Sequence, residues 1–391
     1  MIVYGKKVID TQTILQAMQK KIAQNVRIQR LQDYYNGNHD ICLRYYDDPT
    51  KPNNKIVVNY CKDIADFMTA YLVGVPVKLD VPEPVKKALL ANDEDAEQQD
   101  VVHDMVVSGF ACELAYTDEH GDVRYNNINP IECIVFMDDD LRSDITAFVR
   151  MVKQEDGGYL VTLYNSETKQ DFMVDEACGQ IKAVSEAEPH FFGEVPIAFY
   201  PNGENMQGQF EQAIPMQDAL NKVMSDSVND FEGFVDAYLV LEGMQGTTEE
   251  DISEMKKNRV LLTDADSKAY WLTKSVNNDH VQQLLENLRS SILEMGNIPD
   301  MRTMDGGYTA DLSGAAIRMR LIKTEIQASR MERIVTRGIQ RKIKLLYNIL
   351  SLTDSGLEYA EVVPEFTRNF LLTAGEEYEL DGGDRYSVGN D

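Results

Sequence analysis

Basic residues are scarce in this chain: 38 Lys and Arg stand against 65 Asp and Glu, a formal net charge of -27. That balance argues against a conventional duplex-binding protein, which neutralises phosphates with a basic patch. It leaves room for a surface that nucleic acid slides past without sticking. No apolar run approaches the eighteen or so residues that cross a bilayer, so no membrane partner is expected. The opening MIVYGKKVIDTQ lacks the regions of a signal peptide, which points to a cytoplasmic site of synthesis. There is no CxxC pair, P-loop, GxSxG or HExxH. The five cysteines (Cys42, Cys61, Cys112, Cys133, Cys178) are odd in number and widely spaced, as expected of reduced, buried thiols. His39 and Cys42 lie three apart, but no second ligand pair at zinc-site spacing accompanies them.

What is present is one long basic segment. Residues 313–352, SGAAIRMRLIKTEIQASRMERIVTRGIQRKIKLLYNILSL, contain no proline. As a single helix they would extend roughly 60 Å, more than a compact domain usually needs. Between Arg318 and Lys344 there are nine Lys or Arg against two Glu, contrary to the charge of the whole chain. Such a helix is built to touch something besides its own core, which points to an assembly. Its apolar stripe is Ala315, Met319, Ile322, Ile326, then Met331, Val335, Ile339, Ile343, Leu346 and Leu350. The five-residue step at 326–331 predicts a bend or a change of packing partner near Ser329, with Gly338 as a second weak point.

At 391 residues the chain should hold two or more domains. A helix is predicted over 11–35, with apolar positions Ile14, Met18, Ile22, Val26 and Leu31, stopping at Asn36-Gly37-Asn38. Short β-prone runs at 145–152, 159–164 and 170–174, joined by turn residues, predict a three-stranded meander. Another short strand falls near 195–202. Pro215 suits the first turn of a helix whose stripe is Leu220, Val223, Met224, Val228, Phe231 and Val235, with Ser225, Asp226 and Asn229 mostly on other faces. A compact insertion follows, with strands at 237–241, 259–263 and 269–273 and a helix at 248–257. Asp279 and Gln282 form a capping box for a further helix, with stripe Val281, Leu284, Leu285, Leu288, Ile292 and Met295, ending at Gly296, Asn297 and Pro299. Residues 297–312 have no clear period, and a loop of that length is usually functional or mobile.

Candidate chemistry is thin. Asp138, Asp139 and Asp140 are a conceivable divalent-cation site, although consecutive strand residues do not share a face and such triplets are usually solvated turns. The 297–312 loop offers Met301, Arg302, Met304 and Tyr308, a mix that can touch a DNA backbone without holding it tightly. The acidic runs at 93–104 and 354–391 read as solvated surface or as mates for the basic helix across subunit boundaries.

Several stretches in order, YYNGNHDI (34–41), NNKIVVNYCKDIADFMTAYLVGVPV (53–77), the segment 195–243 and the long basic helix, resemble the SPP1-like family of phage portal proteins. The resemblance covers roughly 31–369 and implies an α+β portal fold. It has a helix-rich wing with the β-meander (1–211), a stem helix (212–235), a small α/β clip (236–277) and a second stem helix (278–296). A tunnel loop (297–312), a long bent helix (313–352) and a short crown or tail (353–391) complete it. The family forms a ring, dodecameric in the virion, at one capsid vertex, after assembly in the host cytoplasm. Double-stranded DNA is packaged through it by the terminase and later ejected. Implied partners are further copies of the chain, the terminase large subunit, a head-completion or adaptor protein, and the major capsid and scaffold proteins. No cofactor and no enzymatic activity are implied. The tunnel loop would contribute Asn297, Met301, Arg302, Met304 and Tyr308, and the clip would present Glu242, Glu249, Lys256, Lys257 and Asp264. The inter-subunit basic helix would use Arg318, Arg320, Arg330, Arg333, Arg337 and Arg341. After EFTRN (365–369) the chain departs from the family by stopping early, which puts the crown in doubt. The alternatives are a portal-like ring of a defective prophage or capsid-derived element, and a metal-dependent enzyme using Asp138, Asp139 and Asp140.

Overall fold

A computed structural model describes residues 2–5, 9–49, 51–141, 143–155, 157–233, 238–242, 248, 250, 268–272, 278–300, 319–352 and 356–368. Its helices are α1 (Thr11–Tyr35), α2 (Tyr60–Val73), α3 (Glu83–Ala91), α4 (Glu94–Ser108), α5 (Ile214–Gly233), α6 (Asn278–Met295) and α7 (Ile322–Leu350). The strands are β1 (Ile2–Tyr4), β2 (Phe110–Thr117), β3 (Val123–Ile128), β4 (Cys133–Met137), β5 (Ile145–Lys153) and β6 (Tyr159–Tyr164). They continue with β7 (Thr168–Val174), β8 (Ile181–Ala183), β9 (Glu188–Pro189), β10 (Ile197–Pro201), β11 (Tyr238–Glu242) and β12 (Lys268–Leu272). The chain divides into two compact units: Met1–Asn38, Asn59–Ile214 and Ile292–Asp391 in one, His39–Val58 and Pro215–Ser291 in the other.

In the larger unit, α1 starts where Asp10 accepts the Thr13 amide at 2.8 Å, an N-cap that satisfies one orphan donor. Ile14, Met18 and Leu31 are buried as their spacing predicts, but Val26 is exposed and Ile28 takes its place in the core. The predicted meander is β5-β6-β7, each pair antiparallel. It is the centre of a larger sheet ordered β1-β4-β5-β6-β7-β8, with β1 parallel to β4 and β9 paired with β7. A second sheet, β10-β2-β3, is antiparallel throughout.

Strand alternation explains why the large sheet is buried on both sides at its centre. Ile134, Phe136, Ala147 and Val149 pack with Ile14 and Met18 of α1 on one face. Cys133, Val135 and Phe148 pack with Phe110, Cys112, Leu114 and Ile197 of the smaller sheet on the other. Cys61, Cys112, Cys133 and Cys178 are buried thiols outside any disulfide, as expected, whereas Cys42 is an exposed thiol. Gly109 ends α4 at φ +87°, and an added Cβ there would lie 2.0 Å from the Met206 carbonyl oxygen, so the α4–β2 corner has room only for glycine.

The acidic run at 93–104 is mostly helix α4, amphipathic rather than wholly solvated. Val101, Val102, Met105 and Val106 face the core, and Glu94 is buried too. The edge of β3 is sealed by α3–α4: Asn92 Oδ1 accepts the Tyr125 amide at 3.2 Å and Glu97 accepts the Asn127 amide at 3.0 Å. Two unpaired strand donors are thereby satisfied and hidden from edge-to-edge pairing.

Candidate functional site

The basic helix α7 has two unlike faces. From Ile322 to Leu350 it runs unbroken past Ser329 and Gly338, so neither expected weak point breaks it. Gly338 is a packing device instead: a Cβ there would lie 1.9 Å from Cε1 of Tyr200, whose ring occupies that space. Met331, Val335, Ile339, Ile343 and Leu346 are buried, as the second half of the predicted stripe requires, while Leu350 at its end is half-buried. The first half is reversed: Met319, Ile322 and Ile326 are 76%, 58% and 67% exposed, while Thr324 and Ala328 turn inward. The physical reason is the five-residue step. A helix that buries 331, 335 and 339 must carry 322 and 326 on its opposite side.

The inward face also carries a charge. Lys342 is 2% exposed and donates to both oxygens of Glu94 at 2.8 Å and to Glu113 at 3.0 Å. Tyr125 donates to Glu94 at 2.6 Å, Gln98 donates to Glu94 at 2.5 Å, and the Tyr200 hydroxyl donates to Glu113. Lys342 also lies 4.7 Å from the Tyr125 ring centroid. Glu94 of α4, Glu113 of β2 and Tyr125 of β3 thus face one ammonium, and Tyr200 of β10 reaches it only through Glu113. Burial raises the Glu113 pKa, opposed by Lys342 and reinforced by Glu94. For Lys342 burial pulls downward, but Glu113 and Glu94 outweigh it and the net direction is up. The only trace of this cluster in the sequence is that Lys342 stands between the apolar positions Ile339 and Ile343.

Among the predicted basic-helix residues, Arg341 is tied to Glu194 and donates to the Val195 carbonyl, and Lys344 shares Glu194. Arg330, Arg333 and Arg337 are exposed, and no ion pair or hydrogen bond of theirs is found among the described residues. Arg320 is exposed and lies just before α7, and Arg318 falls outside the described residues. At the start of α7, Arg368 pairs with Glu325 at 3.1 Å and Glu332 at 2.7 Å, and Tyr71 donates to Glu325 at 2.6 Å.

Of the predicted tunnel loop, Asn297 is described. It adopts φ +58° after α6, and its carbonyl accepts the Thr324 hydroxyl at 2.6 Å. Met301, Arg302, Met304 and Tyr308 lie outside the described residues. In the predicted clip, Glu242 ends β11 opposite Lys268 of β12. Glu249, Lys256, Lys257 and Asp264 lie outside the described residues, as do the predicted strand 259–263 and all but 248 and 250 of the helix 248–257.

The smaller unit carries a polar seam that the stripe reading missed. Gln217, Asn221 and Ser225 of α5 are fully buried, whereas the expected core residue Phe231 is 73% exposed and Val235 lies outside the described residues. Asn229 Oδ1 accepts the Asn54 amide at 2.8 Å, Ser225 Oγ the Ile56 amide at 2.9 Å, and Asn221 Oδ1 the Val58 amide at 3.0 Å. Gln217 donates back to the Val58 carbonyl. Helix positions four apart rise about 6.0 Å. Alternate amides of an extended chain repeat every roughly 6.6 Å. The two spacings agree closely enough for one helix face to act as a sheet edge. His39, the candidate ligand beside Cys42, is buried with Nδ1 2.7 Å from Asn221 Nδ2. In α6, Ile292 is buried, but Leu284 and Met295 of the expected stripe are 45% and 41% exposed.

Asp138, Asp139 and Asp140 lie in the β4–β5 turn, where Asp138 Oδ1 accepts the Asp144 amide at 2.9 Å. Among the described residues no group of three or more His, Cys, Asp or Glu is placed to hold a metal ion. Likewise, no described helix is long and apolar enough to cross a membrane.

Against known proteins, residues 17–381 match the family described as "Phage portal protein, SPP1 Gp6-like". The chain belongs to that family of phage portal proteins. It is 21% identical over 396 residues to the portal protein of Clostridium phage phiCD119, covering 92% of this chain and 86% of that one. It is 23% identical over 343 residues to the portal protein of Bacillus phage SPP1, covering 78% of this chain and 67% of that one. Among solved structures, a chain from the virion of a native gene transfer agent particle matches with a TM-score of 0.48 and 12% identity, covering 84% of this chain and 87% of that one.

Proposed function

We propose that this chain is one subunit of a portal ring at a single vertex of a phage capsid, through which double-stranded DNA is packaged by a terminase and later ejected. The match of residues 17–381 to the portal family carries this reading. Two physical features support it. A net charge of -27 suits a channel that must pass DNA in both directions without neutralising its phosphates. The exposed side of α7 joins apolar and unpaired cationic groups on a helix already anchored on its other side, as a subunit contact requires.

In this reading 1–211 and 313–352 form the wing, α5 and α6 the stem, and 236–277 a clip facing the terminase and later a head-completion protein. The clip would present Glu242, Glu249, Lys256, Lys257 and Asp264, and the scaffold and major capsid proteins would surround the ring. Residues 297–312 line the channel, with Asn297, Met301, Arg302, Met304 and Tyr308 towards DNA. Residues 353–391 belong to the crown or tail. No catalytic turnover is assigned to the ring; the terminase supplies the ATP-driven step.

Electron microscopy of the purified protein, viewed down the ring axis, tests the reading. Closed rings with a central hole wide enough for duplex DNA are expected. A chain that stays monomeric both alone and with its scaffold and capsid proteins sinks it. Deleting 302–307 should leave rings intact and impair packaging. Normal packaging by that variant would overturn the channel assignment alone.

A further inference from the structure

The outward face of α7 is a single surface. At 100° per residue, Ile322, Ile326, Arg330, Arg333 and Arg337 fall within about 80° of arc, opposite the buried Met331, Val335, Ile339 and Lys342. Its beginning is apolar and its continuation cationic, with Met319 one turn before the helix exposed as well. Isolated exposed hydrophobes are ordinary, but a stripe of three at helical spacing leading into three unpaired arginines marks an interface.

Helix α4 offers the opposite chemistry. Its first turn is acidic, and its exposed positions are Asp95, Ala96, Gln99 and Asp100, with exposed Leu90 of α3 just before them. Asp95 and Asp100 have no ion pair among the described residues. The Lys342–Glu94 pair joins the inward side of α7 to the inward side of α4. The outward faces of the two helices therefore look away from each other. A heterologous, head-to-tail contact needs two different complementary surfaces on opposite sides of one subunit.

We infer that the outward face of α7 docks against the outward face of α4 on a second copy of this chain. Ile322 and Ile326 seat beside Leu90 and Ala96, and Arg333 and Arg337 meet Asp95 and Asp100. This deepens the ring reading and rests on it. Duplex DNA is a poorer occupant, because its phosphates could use the arginines but not the apolar beginning of the stripe.

Charge reversal with rescue tests the pairing. Arg333→Glu with Arg337→Glu, and separately Asp95→Lys with Asp100→Lys, should each raise the concentration for half-assembly, read by sedimentation velocity, by at least about tenfold. All four changes in one chain should restore assembly towards that of the unaltered protein, because the complementarity is reinstated with its signs exchanged. All substitutions are at exposed positions, and unchanged melting temperatures would show that each variant folds. Rings that form normally in both double variants overturn the pairing while leaving the ring reading intact. Failure of the folded fourfold variant to recover shows that each face meets something else, and also overturns it. Arginine variants that assemble normally but lose affinity for duplex DNA would assign the face to nucleic acid instead. An unaltered protein that never assembles removes the ring reading itself.

Discussion

Replacing Lys342 with Met should be among the most damaging single substitutions in the chain, and its cost should depend on pH. The side chain is buried, and three of its hydrogen bonds go to the carboxylates of Glu94 and Glu113. Methionine conserves the volume but leaves two acids facing each other without a cation. Removing one partner of a buried charge cluster typically costs about 3–5 kcal/mol. At the 2–4 °C per kcal/mol typical of larger domains, melting should fall by roughly 6–20 °C. The Glu113 carboxyl is already raised by burial, with Lys342 holding it down and Glu94 pushing it up, so losing Lys342 raises it further. A carboxyl whose folded-state pKa lies above the unfolded value favours folding most below the unfolded value of about 4.3. That contribution is lost as pH rises through the folded value. The variant should therefore lie close to the parent near pH 5 and far below it near pH 8, and Glu113→Gln in the same chain should recover much of the difference. Thermal melts at the two pH values settle the matter. A loss under 1 kcal/mol, or one equal at both, would refute the claim that a buried acid pair is what Lys342 neutralises.

Asn221→Ala should strip acceptors from the Val58 amide and the Gln217 side chain, at about 2–4 kcal/mol for the groups left unpaired. Hydrogen exchange at Ile56 and Val58 should accelerate at least about tenfold, and unchanged protection would show that the α5 seam holds nothing. Gly338→Ala should cost about 1–3 kcal/mol despite alanine's better helix propensity, because the new methyl meets the Tyr200 ring. A more stable variant in denaturant titration would contradict that contact. Lys21 is buried and donates to the Pro130 carbonyl, and burial lowers its pKa to about 8. Its folded state binds fewer protons than the unfolded one above pH 8, so stability gains up to ~3 kcal/mol as pH climbs towards the ordinary lysine value. Lys21→Met should lack that gain, and a parallel pH profile for the two proteins would count against it.

Local chemistry alone determined the elements. Asp10 caps α1 and Asn36-Gly37 end it; Gly157-Gly158 and the turn at 165–169 space the meander; Pro215 lies in the first turn of α5; and the order of such pieces resembled the portal family. These signals act within a few residues, so a sequence read by periodicity finds them. Which face of each helix turns inward was decided elsewhere. Lys342 is buried because Glu94 and Glu113, 248 and 229 residues away, receive it. Asn221 and Ser225 are buried because an amide row more than 160 residues earlier matches their rise. A polar side chain is inside only where its partner is already waiting. Hydropathy patterning carries no term for a partner that distant: the five-residue step sets Ile322 and Ile326 opposite Met331 and Val335, and only the tertiary structure decided which of those two sides turned inward.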